Sequence, residues 1–369
     1  MSTVNLMEAS HQWATRPADQ RFETLQALRD SVHSRRLRSR SIDLDLPLIH
    51  VNKTEGESFT INSGIAACEP SHWAFNQFAG MLKAPAAYLR NLPAPLLVDC
   101  LNHGIKSAPR DSVKFMTITS ENDEPNRLQA VTSPTYGRIW DADCVDAVAR
   151  LVDRSGGKFH NPMAYGMSAE GKWVSTVQKP SGLYASDRDV FMFMIDGGSR
   201  LEVGERAKLN RGFFVSNSEV GARTFTLTTF LFNEVCGNHI VWGASNINSL
   251  SIRHTKNGPY RFDGEAAPAL LAYCNESVSR EEGAIAKAQA MLLPKDPADL
   301  EKFLAPFKFT KSEVKSGFDF AKAEEGECRT VWQLVQGLTA YARGFDFIDA
   351  RTDLERRAGS MLNLGLAKV

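Results

Sequence analysis

Hydrophobic and polar residues follow two different periods along this chain, and the period changes near residue 259. Between residues 44 and 242 most apolar segments are short, rich in β-branched or aromatic residues, and separated by Gly, Asn, Asp or Ser. Such segments predict strands, and their short connections favour an antiparallel sheet. Beyond residue 259 the apolar residues recur at helical spacing, and Thr310 with Glu313 forms a capping-box signature that predicts the start of a helix. The pattern therefore predicts an α+β core over residues 1–258, with a helical C-terminal region over residues 259–369 packed on it.

Helices also interrupt the strand-rich part, and we expect them on one face of the sheet. An apolar stripe at helical spacing follows Pro17, three short proline-punctuated helices lie between Ser71 and Gly104, and Asp141 begins a further helix. Residues 44–51 and 57–62 predict a hairpin, and residues 208–242 predict the centre of the sheet.

The composition is that of an ordinary globular protein. The 369 residues are 43% hydrophobic and 23% charged, and 43 basic residues balance 43 acidic ones. The zero net charge removes any bulk electrostatic argument for nucleic-acid binding but leaves room for local basic patches. Without a signal-peptide pattern or an apolar run of ~20 residues, we expect a cytoplasmic protein with no membrane segment. The six scattered cysteines form no CxxC pair, which favours reduced thiols.

Sequence motifs of familiar enzymes are missing. The chain contains no GxxxxGK[ST] or GxGxxG phosphate loop, no HExxH, and no GxSxG. We therefore assign no catalytic residue, expect no cofactor, and favour a protein that is not an enzyme.

The densest polar cluster follows a buried apolar segment. It contains Asn217, Ser218, Glu219 and Gly221. Cys236 and Asn238 follow later along the chain, and we count them with the same motif. Apolar residues flank Glu219, and an unpaired buried carboxylate is costly. We therefore predict a structural turn between two strands, in which Glu219 pairs with Arg211 or Arg223.

A second interpretation of the same cluster is a metal or substrate site. A Cys and a His separated by two residues have a spacing that metal ligands use, although one such pair is weakly specific. The acids of the helix that begins at Asp141 invite a similar interpretation, but the helix dipole explains acids in a first turn equally well. The residues that would converge are Glu219, Cys236, His239 and His254.

Basic residues form two short runs, one after the first predicted helix and one after the last predicted strand. Cations at a helix C-terminus complement its dipole, and a basic loop can simply be solvated. The alternative is that these residues contact phosphates while nearby aromatic side chains stack on bases. The candidate DNA-binding residues are Arg35, Arg36, Arg38, Tyr136, Trp140, Lys208, Arg211 and Arg253.

Several segments, spread over nearly the whole chain, carry one resemblance. The most specific is Gly-Phe-Phe-Val-Ser-Asn-Ser-Glu-Val-Gly at residues 212–221, and the others are residues 12–22, 73–78, 84–90, 230–232, 236–238, 330–332 and 354–359. Together they resemble the phage/plasmid-like protein family, a domain of unknown function (number 932). The resemblance implies a cytoplasmic setting and an association with mobile DNA, and it supplies no catalytic residues.

Three hypotheses of function follow. The first is non-catalytic DNA binding in phage or plasmid replication, recombination or protection. By analogy of fold with single-strand annealing proteins, the partner is single-stranded DNA and the protein forms a homo-oligomer. The second is a metal-dependent enzyme acting on nucleic acid or nucleotide. The third is a protein-binding module that counters a host defence system, which the neutral net charge suits equally well.

Overall fold

The computed structural model describes most of the chain, with gaps. The described residues are 17–54, 58–62, 67–108, 111–120, 126–161, 166–167, 173–174, 182–203, 207–233, 239–240, 249–275, 278–342, 345 and 348–366. Within them the chain forms two large sheets and a set of helices, and the predicted α+β class is confirmed.

The first sheet has six strands in the order β1-β5-β6-β4-β3-β2. Neighbouring strands are antiparallel except β4 and β6, which run parallel. Helices α2 and α4 pack on it through an apolar cluster that includes Phe75, Phe78 and Leu101. The strands are β1 (Ser39–Asp45), β2 (His50–Lys53), β3 (Phe59–Asn62), β4 (Ala67–Pro70), β5 (Ser112–Ile118) and β6 (Asn126–Thr132), and the first four helices are α1 (Leu25–Arg38), α2 (His72–Met81), α3 (Ala86–Leu89) and α4 (Ala94–Lys106).

The second sheet has seven strands in the described residues, and each pair of neighbouring strands there is antiparallel. Its main order is β10-β11-β12-β13-β14, with β7 beside β11 and β15 beside β13. A third, two-stranded sheet joins β8 and β9. The strands are β7 (Phe159–His160), β8 (Gly166–Met167), β9 (Trp173–Val174), β10 (Leu183–Ala185), β11 (Val190–Val203), β12 (Ala207–Asn217), β13 (Phe225–Asn233), β14 (His239–Ile240) and β15 (Ser249–Ile252).

Helices cover one face of the seven-stranded sheet along its length. Alternate residues of a strand share a face, so Leu209, Phe213 and Val215 of β12 point the same way. Phe213 and Val215 pack under α1, α5 and α7, whereas Leu209 packs under the C-terminal helices. The remaining helices are α5 (Asp141–Arg154), α6 (Gly258–Arg261), α7 (Ala267–Asn275), α8 (Ser279–Ala290), α9 (Pro297–Leu304), α10 (Lys311–Glu325), α11 (Val331–Ala342), α12 (Ile348–Ser360) and α13 (Asn363–Leu366).

Three sequence predictions need correction. The strands from residue 44 onward form two large sheets rather than one. Strands β1–β6 pair with one another, and α2 and α4 pack on the sheet that they form. The predicted strand over residues 44–51 is broken by a 3-10 turn at Leu46–Leu48, where Pro47 lacks the N–H that a sheet needs. The first helix begins at Leu25 rather than Pro17, because the Thr24 side chain accepts a hydrogen bond from the Ala27 N–H and caps it.

Other predictions are confirmed where the structure describes the residues. The Thr310–Glu313 capping box begins α10, and α5 begins at Asp141. No helix in the described part of the chain is both long enough and apolar enough to cross a membrane. The cysteines whose side chains the structure describes, Cys68, Cys100, Cys144 and Cys328, are free thiols.

Candidate functional site

The polar cluster singled out in the sequence forms the turn between β12 and β13. We call residues 217–221 the motif turn. Asn217, Ser218 and Glu219 are almost completely buried, at 0%, 0% and 4% exposure. Gly221 has φ of 84°, a left-handed conformation that favours glycine, and its N–H donates to the Ser218 carbonyl. The turn is thus a buried, polar corner of the sheet.

Two carboxylates and one arginine meet at this corner. Arg35 Nη2 lies 2.7 Å from Asp141 Oδ2, and Arg35 Nε lies 3.1 Å from Glu219 Oε1. Asn217 Nδ2 donates to Asp141 Oδ1 at 2.8 Å, and the Asp141 N–H donates to Glu219 Oε2 at 3.1 Å. Helices α1 and α5 are therefore tied to the motif turn by charged and polar side chains.

Burial shapes the ionisation of these groups. Burial and the neighbouring Glu219 carboxylate hold the pKa of Asp141 well above its usual value, against the opposing effect of Arg35. Burial alone would lower the pKa of Arg35, but Glu219 and Asp141 outweigh it and the pKa is raised. Arg35 therefore stays charged and is the counter-ion for both carboxylates.

A second arginine lies on the other side of the turn. Arg138 is 7% exposed, and its Nη1 donates to the Glu219 carbonyl. Its guanidinium carbon lies 5.2 Å from the Tyr136 ring centroid and 5.4 Å from that of Trp140. Burial lowers the pKa of Arg138. The stacking between two rings explains how this cation is accommodated in the interior.

Tyr136 and His254 form a stacked pair beside Arg138. Their ring centroids are 5.0 Å apart and their planes differ by 5°. The Tyr136 hydroxyl donates to the Ser218 carbonyl at 3.2 Å, and burial raises its pKa. Burial lowers the pKa of His254 to about 4, so its Nδ1 accepts a hydrogen bond from the Ile139 N–H at 3.3 Å. Both rings are held in place by the protein.

The prediction that Glu219 pairs with Arg211 or Arg223 is wrong. Arg211 Nε lies 3.6 Å from Glu281 Oε1, and Arg223 Nη2 lies 3.3 Å from Asp189 Oδ2. The partner of Glu219 is Arg35, which is distant in sequence. Packing of α1 against α5 and the sheet brings these residues together, and a local pattern cannot show it.

Among the candidate DNA-binding residues, Tyr136 is bonded to the Ser218 carbonyl as described above, and two arginines are committed to protein partners. Arg211 is 2% exposed, and its Nη2 donates to the Tyr273 carbonyl at 3.1 Å. Arg35 is similarly committed to Asp141 and Glu219. We therefore leave both out of the interface proposed below. Arg36, Arg38 and Trp140 are half-buried and Arg253 is exposed, whereas the side chain of Lys208 lies outside the described residues.

The metal interpretation rests partly on residues that are not described. Cys236 and Asn238 lie outside the described residues, as does the side chain of His239. Glu219 and His254 are each bonded to protein groups, as given above. Over the described ranges, no group of three or more His, Cys, Asp or Glu side chains could hold a metal ion.

Two half-buried tryptophans pack on one small apolar cluster between the two sheets. Met116 and Ala130 come from the first sheet and Val220 from the motif turn, and Trp73 and Trp140 pack against them. The Trp73 Nε1–H donates to the Val220 carbonyl at 3.0 Å. The motif turn therefore fixes the position of an aromatic side chain that belongs to the other sheet.

An arginine side chain lies over the ring of each of these tryptophans. The Arg36 guanidinium carbon lies 3.9 Å from the Trp140 ring centroid, and that of Arg188 lies 5.8 Å from the Trp73 centroid. We call these four residues the Trp–Arg surface. The sequence prediction included Trp140 and Arg36 but missed Trp73 and Arg188. The prediction also missed Arg138, although its alternation with Tyr136 and Trp140 along the chain was a signal for it. Trp73 gave no such signal, because it looked like an ordinary apolar helix residue.

Comparison with known proteins identifies a family. The family model described as a domain of unknown function (DUF932) matches residues 130–357, more than half of the chain, and the protein belongs to that family. The matched range includes the motif turn and ends within α12, and nearly all of the six-stranded sheet lies before it. No curated protein and no solved structure matches this chain significantly.

Proposed function

We propose that this protein binds single-stranded DNA, without catalysing a reaction, in the DNA metabolism of a phage or plasmid. The observation that carries the proposal is the Trp–Arg surface. Proteins that bind single strands combine cations that track phosphates with aromatic faces on which bases stack. Trp73 and Trp140 supply two aromatic rings around one apolar cluster, and Arg36 and Arg188 supply cations that lie over these rings and would turn aside for a base.

Further cations follow this surface along the chain or pair with a residue next to it. Arg38 and Arg40 follow Arg36 along the chain, and Arg40 is exposed on the edge strand β1. Arg127 is 54% exposed at the start of β6 and pairs with Asp187 over 3.8 Å. An arginine in a weak surface ion pair can exchange its carboxylate for a phosphate at little cost.

Fluorescence anisotropy with a labelled single-stranded oligonucleotide of ~30 bases, at ~50 mM and ~200 mM salt, tests the proposal. We expect binding that weakens steeply with salt, and Arg36→Ala should lower the salt slope by about 1. The control is Arg356→Ala, an exposed arginine paired with Asp353 in the C-terminal region. No binding at ~50 mM salt, where phosphate contacts are strongest, would sink the proposal.

The ion pairs of this surface favour a second candidate, a protein-binding module that counters a host defence enzyme. Asp187 lies within 4.0 Å of both Arg127 and Arg188, and Asp189 pairs with Arg223. Such mixed charge suits a protein partner. A pull-down from nuclease-treated host lysate separates the candidates, because DNA bridging is then removed. A partner whose capture Arg188→Glu abolishes would favour this second function.

We further propose that the protein works as a homo-oligomer, as expected for a protein that coats a strand. Light scattering with and without a single-stranded oligonucleotide measures the assembly. A mass of one subunit under both conditions would contradict this part of the proposal.

A further inference from the structure

A cavity of about 440 Å³ opens beside the motif turn, where the two large sheets meet. We call it the Trp73 pocket. Its volume falls in the range of small-molecule sites, roughly 300–1,000 Å³. The residues that matter for its chemistry are Gln20, Trp73, Asp187, Arg188, Ala222 and Arg223.

The motif turn holds the walls of this pocket in place. The Val220 carbonyl accepts from Trp73 Nε1 at 3.0 Å, which fixes the indole wall. The Ser218 hydroxyl donates to the Arg188 carbonyl at 2.5 Å, which fixes the opposite wall. Ala222, the next residue after the turn, also lines the pocket, and its N–H donates to Ser218 Oγ.

The buried ion network supports a third wall. Arg35 Nη1 donates to the Ser186 carbonyl, and the Ser186 hydroxyl donates to Asp189 Oδ1 at 2.7 Å. Asp189 in turn pairs with Arg223. The polar groups buried around the motif turn therefore act together: they hold the walls of the Trp73 pocket in position before a ligand binds.

Two charged side chains in the pocket are held more loosely. Arg188 and Asp187 are 48% and 42% exposed, and their closest charged atoms are 4.0 Å apart. Arg188 lies 5.8 Å from the Trp73 ring centroid, near the ~6 Å limit of a cation–π contact. Its backbone is fixed but its guanidinium can turn away and uncover the indole face.

The ligand chemistry follows from these groups. The indole N–H is already bonded to Val220, so Trp73 offers its flat apolar face rather than a donor. Arg188, with Arg127 beyond Asp187, offers guanidinium groups that match a phosphate. A planar ring joined to a phosphate is the chemistry of a nucleotide.

We propose that the Trp73 pocket binds one nucleotide, with the base stacked on Trp73 and the phosphate held by Arg188. The nucleotide can belong to a single strand or be a free mononucleotide. If the nucleotide belongs to a single strand, the inference deepens the proposed DNA binding and rests on it. The second source is independent of it.

The test uses the full chain and three probes: a 20-base single strand, deoxyadenosine monophosphate, and deoxyribose 5-phosphate, which lacks the base. We expect the first two to bind and to quench tryptophan fluorescence, and the third to bind far more weakly. Trp73→Leu should weaken the binding of both base-containing probes by roughly 5- to 150-fold, the usual effect of removing a stacking aromatic side chain. Trp73→Phe should retain most of the binding, because it keeps an aromatic face.

Arg188→Ala is the second variant, chosen because the Arg188 side chain is 48% exposed, and substitutions of exposed side chains usually change stability little. We expect it to weaken both base-containing probes about tenfold, while Arg356→Ala leaves them unchanged. Single-strand binding that neither Trp73→Leu nor Arg188→Ala alters would overturn the pocket and leave the proposed function standing. Mononucleotide binding that depends on Trp73, without any single-strand binding, would support the pocket and overturn the proposed function. Binding of neither probe would overturn both.

Discussion

At one end of the seven-stranded sheet, α1 and α5 meet the motif turn through Arg35, Asp141 and Glu219. At the other end, α8 and α11 meet β12 and β13 mainly through apolar side chains such as Leu209 and Leu334, beside a buried ion pair between Arg211 and Glu281. The helices lie on the same face of the same sheet. The contacts at the apolar end contribute only to stability. The polar end also positions Trp73 and Arg188, so its polar groups are explained by what they hold at the surface.

Both ends bury charge, but at the polar end two carboxylates share one arginine, whereas at the other end Arg211 pairs with Glu281. Arg35 balances two carboxylates, so Arg35→Met would leave Asp141 and Glu219 buried without their cation. We expect the free energy of unfolding to fall by about 3–5 kcal/mol. Urea denaturation near neutral pH measures it, and the binding of single-stranded DNA should weaken as well, because the Ser186 anchor is lost.

The control for this variant is Arg29→Met on the same helix. Arg29 also pairs with an aspartate of α5, Asp146, but its side chain is 42% exposed. A surface pair of this kind contributes about 1 kcal/mol or less. Equal, small losses for the two variants would contradict the account of Arg35 as the counter-ion of a buried network.

His254 makes one contribution to the pH dependence of stability at the polar end. Burial lowers its pKa from 6.5 to about 4, so between these values the unfolded chain binds a proton that the folded protein does not. The contribution is complete above pH 6.5 and is lost as the pH falls, by up to about 3 kcal/mol. His254→Gln should remove this loss, as measured by denaturation at a series of pH values.

Exposed His103 provides the control, since His103→Gln should keep the pH dependence of the unmodified protein. An unchanged pH dependence in His254→Gln would show that His254 is not the residue responsible.

Close helix packing distinguishes the apolar end. A Cβ added to Gly337 of α11 would lie 2.0 Å from the Gly317 carbonyl oxygen of α10. Gly337→Ala should therefore force the two helices apart and cost about 1–3 kcal/mol. Thermal denaturation measures the loss, and oligonucleotide affinity should not change, because the Trp–Arg surface lies at the other end.

Gly283 of α8 is a matched glycine, since a Cβ there would meet nothing within 4 Å. Gly283→Ala should stabilise the protein by about 0.5–1 kcal/mol, the gain expected for alanine over glycine inside a helix. If Gly337→Ala bound the oligonucleotide more weakly at temperatures where it stays folded, the two ends would not be functionally separate.

The smallest effect concerns a helix cap at the apolar end. The Thr310 hydroxyl accepts from the Glu313 N–H at 3.2 Å, and the Glu313 carboxylate accepts from the Thr310 N–H at 2.7 Å. Thr310→Ala should cost about 1 kcal/mol, whereas Thr310→Ser should cost little. Thermal denaturation of the pair of variants tests it, and equal losses would contradict the capping account.

Local sequence patterns were sufficient for the elements whose signals are themselves local. The capping box at Thr310, the helix that begins at Asp141, and the strands on either side of the motif turn were all predicted. Each depends on side-chain periodicity or on hydrogen bonds within a few residues. The break at Leu46–Leu48 was missed although Pro47 marked it, because the apolar run around it suggested one continuous strand.

The candidate site could be predicted only in part. The sequence marked residues 217–221 as unusual because polar residues there follow a buried strand, and it marked Arg36 and Trp140. It could not show that Glu219 pairs with Arg35, nor that Trp73 packs against Val220. These contacts join residues far apart in sequence, and their positions depend on how two sheets and three helices pack.

The sequence by itself determined the α+β class, the family, and the turn at which polar residues must be buried. Those properties follow from periodicity and from the cost of burying unpaired polar groups. Only the tertiary structure decided which partners satisfy those groups, and that the first sheet is separate from the second. It also brought Trp73 and Arg188 to the motif turn, because long-range packing, rather than local propensity, sets which side chains share a surface.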